Sequence, residues 1–459
     1  MTFNQCNTIA AISTAQGIGG IGVIRVSGDN AISIVDKIFK SVSGKKICDA
    51  KGYTAHYGHI INEFGEIVDE VIITLFRAPK SYTGEDVVEI SCHGGLYITK
   101  SILRLVLAKG ADPAGPGEFT KRAFLNGKIG LTQAEAVMDV IGAKNKQAAE
   151  SATYAREGAL NKRIMAVNEL LVDLDSKLSV WVDYPDEELS EVSDESLSES
   201  LEKIKNQLNQ LLKTYDIGKI IKDGVYTVIV GEPNVGKSTL MNLLSCCERS
   251  IVTNIPGTTR DVVEETVNIG DVTLRLADTA GIRDTDDEVE QIGVNKAIKY
   301  LNQADLILLV LDASKEISED TRNLINQVKN KNVIAVVNKT DLNKKIDISE
   351  VRISVPEIVE ISAINATGVE NLANAVCKVT SVSQLDPSEG ILSTERQAIS
   401  VKRALDFVEE AIKAIQSQVT LDAVTILIEE AIEELLILTG ERVSDVVVNN
   451  IFKKFCVGK

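Results

Sequence analysis

The first hundred or so residues alternate apolar and polar positions in short runs punctuated by glycine, "IGVIRVSG" and "EVIITLF" among them. Alternation with a period of two predicts half-buried strands. The stretch "ITKSILRLVLAKG" instead carries apolar residues at helical spacing, so residues 1–119 read as an α+β domain with a helix late in it. From Thr132 the period becomes helical and holds to about Trp181, with Thr132 and Glu135 placed as a capping box. "YPDEELSEVSDES" interrupts with Pro185 and an acidic run and reads as a solvated loop. A second amphipathic helix is expected over about 199–214, and the helical pattern resumes only near residue 392, from where it runs to the end. The expected organisation is an N-terminal domain at 1–119, a discontinuous helical domain at 120–215 and 381–459, and an insert at 216–380.

Bulk properties narrow the class. A chain of 459 residues exceeds one ordinary core. The apolar run "LILLVL" is closed off by Asp305 and Asp312 and is too short to span a bilayer, and the start "MTFNQCNTIAAIST" lacks the basic region of a signal peptide. Seven scattered cysteines suit reduced thiols and a cytoplasmic location, and none is spaced with a histidine as a zinc site requires. The net charge of -17 argues against a general nucleic-acid coat. Contact with RNA then falls to local basic pairs such as Lys162 with Arg163, Lys402 with Arg403 and Lys453 with Lys454, each of which also reads as a solvated helix face.

The insert carries the chemistry. "YTVIVGEPNVGKSTL" is an apolar strand running into a glycine-rich loop and a helix, the context in which backbone N–H groups cradle phosphates. Asn234, Val235, Gly236, Lys237, Ser238 and Thr239 form its second half; Lys237 is placed for the β and γ phosphates and Ser238 for Mg²⁺. "ADTAG" follows, with Asp278, Thr279, Ala280 and Gly281 beside the metal and the γ-phosphate. "NKTD" supplies Asn338, Lys339 and Asp341, whose carboxylate accepts both guanine N1–H and N2–H, a donor pair adenine lacks. "ISA" adds Ser362 and the Ala363 N–H. Four motifs in this order resemble a Ras-like GTPase domain with a mainly parallel sheet. Two departures stand out. Ile282 occupies the place of the water-orienting glutamine. Asn234 and the loop "TNIPGTTRD" offer hard oxygen ligands with which K⁺ can replace an arginine finger, although Asn234 also reads as a loop-stabilising residue.

"DTAGIRDTDDEVEQIGV", "TNIPGTTRD", "DYPDEE" and the terminal "FCVGK" together resemble the bacterial tRNA modification GTPases of the MnmE family, also called TrmE, over essentially the whole chain. The resemblance implies an N-terminal tetrahydrofolate-binding and dimerisation domain, a discontinuous helical domain and a potassium-activated GTPase insert. It implies a homodimer that works with an FAD protein of the MnmG type, in a heterotetramer, on wobble uridine 34 of tRNA. The product would be a 5-aminomethyl or 5-carboxymethylaminomethyl group built from the one-carbon unit of a 5,10-methylene or 5-formyl folate. Carried over by motif, Asn234, Thr253, Ile255 and Thr258 would surround K⁺, Ser238 and Thr259 would hold Mg²⁺, and Glu290 would orient the attacking water. Arg25, Glu89, Lys128 and the terminal Lys459 would bind folate, and Cys456 would act in the modification as a nucleophile or by shaping the pocket. Ile18 stands where many relatives carry a charge. His93 beside Cys92 reads as a packing or turn residue. A GTP-timed RNA-binding switch and a folate-binding regulator remain as competing readings.

Overall fold

A computed structural model describes residues 7–183, 194–246, 265–277, 300–382 and 385–459. The chain divides into two compact units, one of Met1–Met138 with Leu436–Lys459 and one of Asp139–Leu435.

The first unit is built on a seven-stranded sheet: β1 (Ile9–Ile12), β2 (Ile21–Ser27), β3 (Phe39–Ser41), β4 (Thr54–Ile61), β5 (Ile67–Phe76), β6 (Val87–His93) and β7 (Asp112–Pro113). Its order is β3-β4-β5-β6-β2-β1-β7, and every pair is antiparallel except β1 with β7. Alternation sends Ile24, Val26, Ile73, Leu75, Val88 and Ile90 to one face, where they form a core with Ile102 and Val106 of the helix Leu96–Ala108. The same alternation turns Arg25 and Glu89, which face each other in register on β2 and β6, to the opposite face. That face is closed over Ile9 and Ala11 by Phe119, from the helix Glu118–Leu125. The C-terminal segment belongs to this unit. Phe452 and Phe455 bury against Leu131 and Ala134, with Phe124 beside them.

The helix that was expected to begin at Thr132 spans Leu131–Gly142, so Thr132 lies inside its first turn and is no cap. The Gln133 side chain instead accepts from the Gly130 N–H at 2.9 Å, and the buried Thr132 Oγ1 has no partner. Pattern fixes the helix but not its first residue, because a glycine with a bonded N–H competes well with threonine at the cap.

The second unit contains a six-stranded sheet of β8 (Val225–Val230), β9 (Glu265–Ile269), β10 (Val272–Leu276), β11 (Leu306–Asp312), β12 (Val333–Asn338) and β13 (Glu357–Glu360), in the order β13-β12-β11-β8-β10-β9. All neighbours are parallel except β9 with β10. β11 is buried along its whole length because helices cover both faces: Leu306, Leu308 and Val310 enter one core with Leu240 and Leu372, while Ile307, Leu309 and Leu311 enter another with Ile325 and Val351. This is the Ras-like arrangement. The helices Lys146–Arg156, Ala159–Asp183, Asp194–Leu212, Tyr215–Asp223, Glu395–Gln416 and most of Leu421–Thr439 complete the unit. Asp194–Leu212 starts earlier than the pattern indicated, since the last residues of the acidic run enter the helix, where negative charge at the N-terminus is favourable. The rest of that run, 184–193, lies outside the described residues. Thr394 and Gln397 form a true capping box at the head of Glu395–Gln416. No described helix is long and apolar enough to cross a membrane.

Gly218 tests the packing of this unit. A Cβ there would stand 2.0 Å from the Leu392 carbonyl oxygen. Gly218→Ala gains about 1 kcal/mol of helix propensity, but overpacking costs about 1–3 kcal/mol, and here a backbone atom must give way. We expect a lower denaturation midpoint, read by urea titration; an unchanged or higher midpoint would contradict the packing.

Candidate functional site

The glycine-rich loop leaves the C-terminal end of β8 and enters the helix Lys237–Cys246. Gly231 and Gly236 have φ of 151° and 99°, and a Cβ would fall 2.3 Å from the Val310 oxygen at the first and 2.2 Å from Asn338 Nδ2 at the second. Both positions therefore require glycine. Asn234, with φ of 62°, takes the left-handed conformation that asparagine tolerates best after glycine. Lys237 Nζ donates to the carbonyl oxygens of Gly231 and Glu232 at 2.8 and 2.7 Å, which points it across the mouth of the loop. Ser238 and Thr239 are exposed in the first helical turn, as a metal-bound hydroxyl and its neighbour need to be.

The base-reading motifs converge on the same edge of the sheet, where Asp312 and Asn338 end β11 and β12 side by side. Asn338 has a role that motif spacing did not reveal. Its Nδ2 donates to the Val235 carbonyl at 3.0 Å while its Oδ1 accepts from the Ala363 N–H at 3.0 Å, so one side chain joins the phosphate loop to the Ser362–Ala363 turn. Lys339 Nζ likewise donates to the Asn234 carbonyl at 2.7 Å and to Asp312 at 2.6 Å. Burial pushes the Asp312 carboxyl up, but hydrogen bonds from Lys339 and Ser314 outweigh it and hold the group below the usual carboxylate range. Asp341 Oδ1 accepts from Ser362 Oγ at 2.6 Å, which orients the carboxylate. Asp341→Asn exchanges one acceptor for a donor and should weaken GTP at least about tenfold while favouring xanthosine triphosphate. Competition binding checks it, and an unaltered preference for GTP would remove Asp341 from base reading. Thr253, Ile255, Thr258, Thr259, Asp278, Thr279, Ala280, Gly281 and Glu290 lie outside the described residues.

In the first unit, Arg25 donates from Nε and Nη2 to Glu89 Oε1 at 2.9 and 2.7 Å. Its guanidinium lies 5.4 Å from the Tyr82 ring centre and 5.6 Å from that of Phe119. Both donors use one carboxylate oxygen, so Arg25 leaves Glu89 Oε2 unoccupied by its own N–H groups. Lys128 stands apart from this pair and donates to the Pro79 carbonyl at 3.0 Å. Asp69 accepts from the ring and backbone N–H of His93 at 2.7 and 2.8 Å, and the hydrogen bond raises the imidazole above its ordinary value. Burial pushes the Cys92 thiol up to about 11, which keeps it neutral and inert.

The chain terminus is tied down. Phe455 seats on Gly117, where φ is 64° and a Cβ would come within 2.7 Å of the Phe455 Cβ. The Gly117 N–H donates to the Cys456 carbonyl at 3.2 Å, and Val457 bridges Pro116. Ser13 Oγ donates to the Gly458 carbonyl at 3.0 Å. Gly117 lies two residues before Phe119, and Ile12 and Ser13 directly follow Ala11, the register partner of Arg25. The terminal strap thus runs beside the Arg25–Glu89 corner, with Cys456 exposed and Lys459 at its end.

Two family models cover the chain: "GTP-binding protein TrmE N-terminus" matches residues 8–128 and "MnmE helical domain" matches residues 131–456. The tRNA modification GTPase MnmE of Alkaliphilus oremlandii is 44% identical over 458 residues, 99% of each chain. That of Alkaliphilus metalliredigens is 43% identical over 457 residues, again 99% of each. That of Geobacillus kaustophilus is 43% identical over 460 residues, 99% of this chain and 100% of the relative. With a Ras-like sheet whose loops meet at one edge, and with likeness to these enzymes from end to end, the chain belongs to the MnmE family of tRNA modification GTPases and is a GTP hydrolase of tRNA modification.

Proposed function

We propose that this enzyme couples K⁺-dependent GTP hydrolysis to the one-carbon step of wobble-uridine modification, at the corner where the terminal strap meets Arg25 and Glu89. The observation that carries this reading is the strap itself: four contacts fix a segment that would otherwise fray, and they leave its cysteine exposed. A reduced folate fits the donors and acceptors present. Glu89 Oε2 accepts from the N–H edge of a pterin, the partly exposed Tyr82 offers a ring face, and Lys128 and Lys459 can meet carboxylates of the tail. When bound, the folate supplies the one-carbon unit. The protein's part is to hold the pterin edge on Glu89, to fix Arg25 through that same carboxylate, and to present the Cys456 thiol. In the second unit, Ser238 with Thr259 would hold Mg²⁺, and Asn234 with the 253–258 loop would hold K⁺.

The molecule works as a homodimer in the cytoplasm, with an FAD-dependent partner of the MnmG type and tRNA as substrate, the 5-aminomethyl or 5-carboxymethylaminomethyl group being its product. Purified protein, that partner, tRNA, GTP and a folate labelled with ¹³C in its one-carbon unit test this directly. We expect the label in the methylene carbon attached to C5 of the wobble uridine, and its absence despite modification would separate the enzyme from folate chemistry.

A further inference from the structure

The phosphate loop of this chain contains an acid. Glu232 follows Gly231, and the carbonyl oxygens of both accept from Lys237 Nζ, so the Glu232 backbone lines the cradle that must receive a polyanion. A carboxylate swinging freely from that position would repel the phosphates and compete for Lys237. Its side chain is held elsewhere. Glu232 Oε1 accepts from Ser318 Oγ and from Thr321 Oγ1, the latter at 2.5 Å.

The two hydroxyls are themselves fixed. Ser318 is the N-cap of the helix Glu319–Val328, and its Oγ accepts from the Thr321 N–H at 3.0 Å, which commits a lone pair to the helix and leaves its proton for Glu232. Thr321 stands three residues after the cap, where a capping box would carry glutamate or glutamine; here its hydroxyl turns to the loop instead. The hydrogen bonds from Ser318 and Thr321 hold the Glu232 carboxyl below its ordinary range, with Lys315 adding to the effect, so the anion is kept and stabilised away from the cradle.

We propose that Ser318 and Thr321 are positioning residues for nucleotide binding: they park the Glu232 carboxylate on the head of a neighbouring helix and so preserve the anion-binding character of a loop that carries an acid. The inference rests on GTP being the ligand of this loop.

The test is equilibrium binding of fluorescent GTP and GDP to the full-length protein at low and high salt, with steady-state hydrolysis alongside. Releasing Glu232 by S318A with T321V should weaken both nucleotides on the order of tenfold at low salt, with the difference shrinking as salt screens the freed charge. KM should rise with little change in kcat, the mark of lost uniform binding. T321V alone, which spares the cap, should fall between. Adding E232Q to the double variant should recover most of the lost affinity, which it cannot do if the double variant is simply misfolded. A double variant that binds as tightly as the unaltered protein would overturn the proposal, as would a loss that is independent of salt and persists with E232Q. No GTP binding by the unaltered protein would overturn the nucleotide site first and the parking with it.

Discussion

Exchanging K⁺ for Na⁺ in the assay buffer should lower GTP turnover by roughly 10³-fold or more while nucleotide binding changes little. An arginine finger contributes roughly 10³ to 10⁵ in rate, and a cation that takes its place inherits that share of the transition-state charge. Ile282 stands where a glutamine would orient water, so the loop alone offers no substitute. Asn234, the proposed ligand of such an ion, is itself fixed: its backbone takes the left-handed conformation, and its carbonyl accepts from Lys339. Because Na⁺ is smaller than K⁺ and demands shorter oxygen contacts, ion size should decide activity. Stopped-flow or steady-state phosphate release in matched buffers measures it, and equal turnover in both salts would remove the cation from the mechanism.

The second large effect concerns the strap. Cys456→Ser changes one exposed atom and leaves the contacts of Phe455 and Gly458 in place, so the protein should fold and hydrolyse GTP normally. It should nevertheless fail to restore wobble modification, with at least about a tenfold deficit if the thiol takes part in the step. Gly458→Ala reaches the same end by displacement: at φ of 96° a Cβ would lie 2.3 Å from the Ile12 carbonyl oxygen, so the tail must leave its groove. A displaced tail and a missing thiol should give the same phenotype if the strap's purpose is to place Cys456. Full modification by Cys456→Ser, with loss only in Gly458→Ala, would show that the strap matters and the thiol does not.

The GTPase motifs could be read because each is a contiguous string whose chemistry is local; of these the structure describes the phosphate loop and the Asn338–Asp341 and Ser362–Ala363 turns, while Asp278 lies outside the described residues. Alternation in "IGVIRVSG" and "EVIITLF" likewise placed β2 and β5. What pairs the strands was not legible, since Arg25 and Glu89 meet only through a register between strands distant in sequence. The same holds for Phe119 over Arg25, for Asn338 between Val235 and Ala363, and for Glu232 on Ser318 and Thr321. Each is a side-chain contact across elements, and periodicity carries no information on it. The misplaced cap at Thr132 has the opposite origin: a local signal was present, but the helix starts one residue earlier, and the Thr132 hydroxyl is buried without a hydrogen-bond partner among the described residues. The helical pattern after Leu421 identified helices, and the resemblance brought Cys456 and Lys459 to the N-terminal domain, but neither showed that Phe452 and Phe455 bury against Leu131 and Ala134.

Mass analysis of tRNA nucleosides from a strain lacking this gene, with and without the gene restored, tests the central claim most directly. The account predicts that unmodified wobble uridine accumulates in the deletion strain and that the 5-aminomethyl or 5-carboxymethylaminomethyl nucleoside returns with the intact chain but not with Cys456→Ser. An unchanged set of wobble nucleosides in the deletion strain would contradict it.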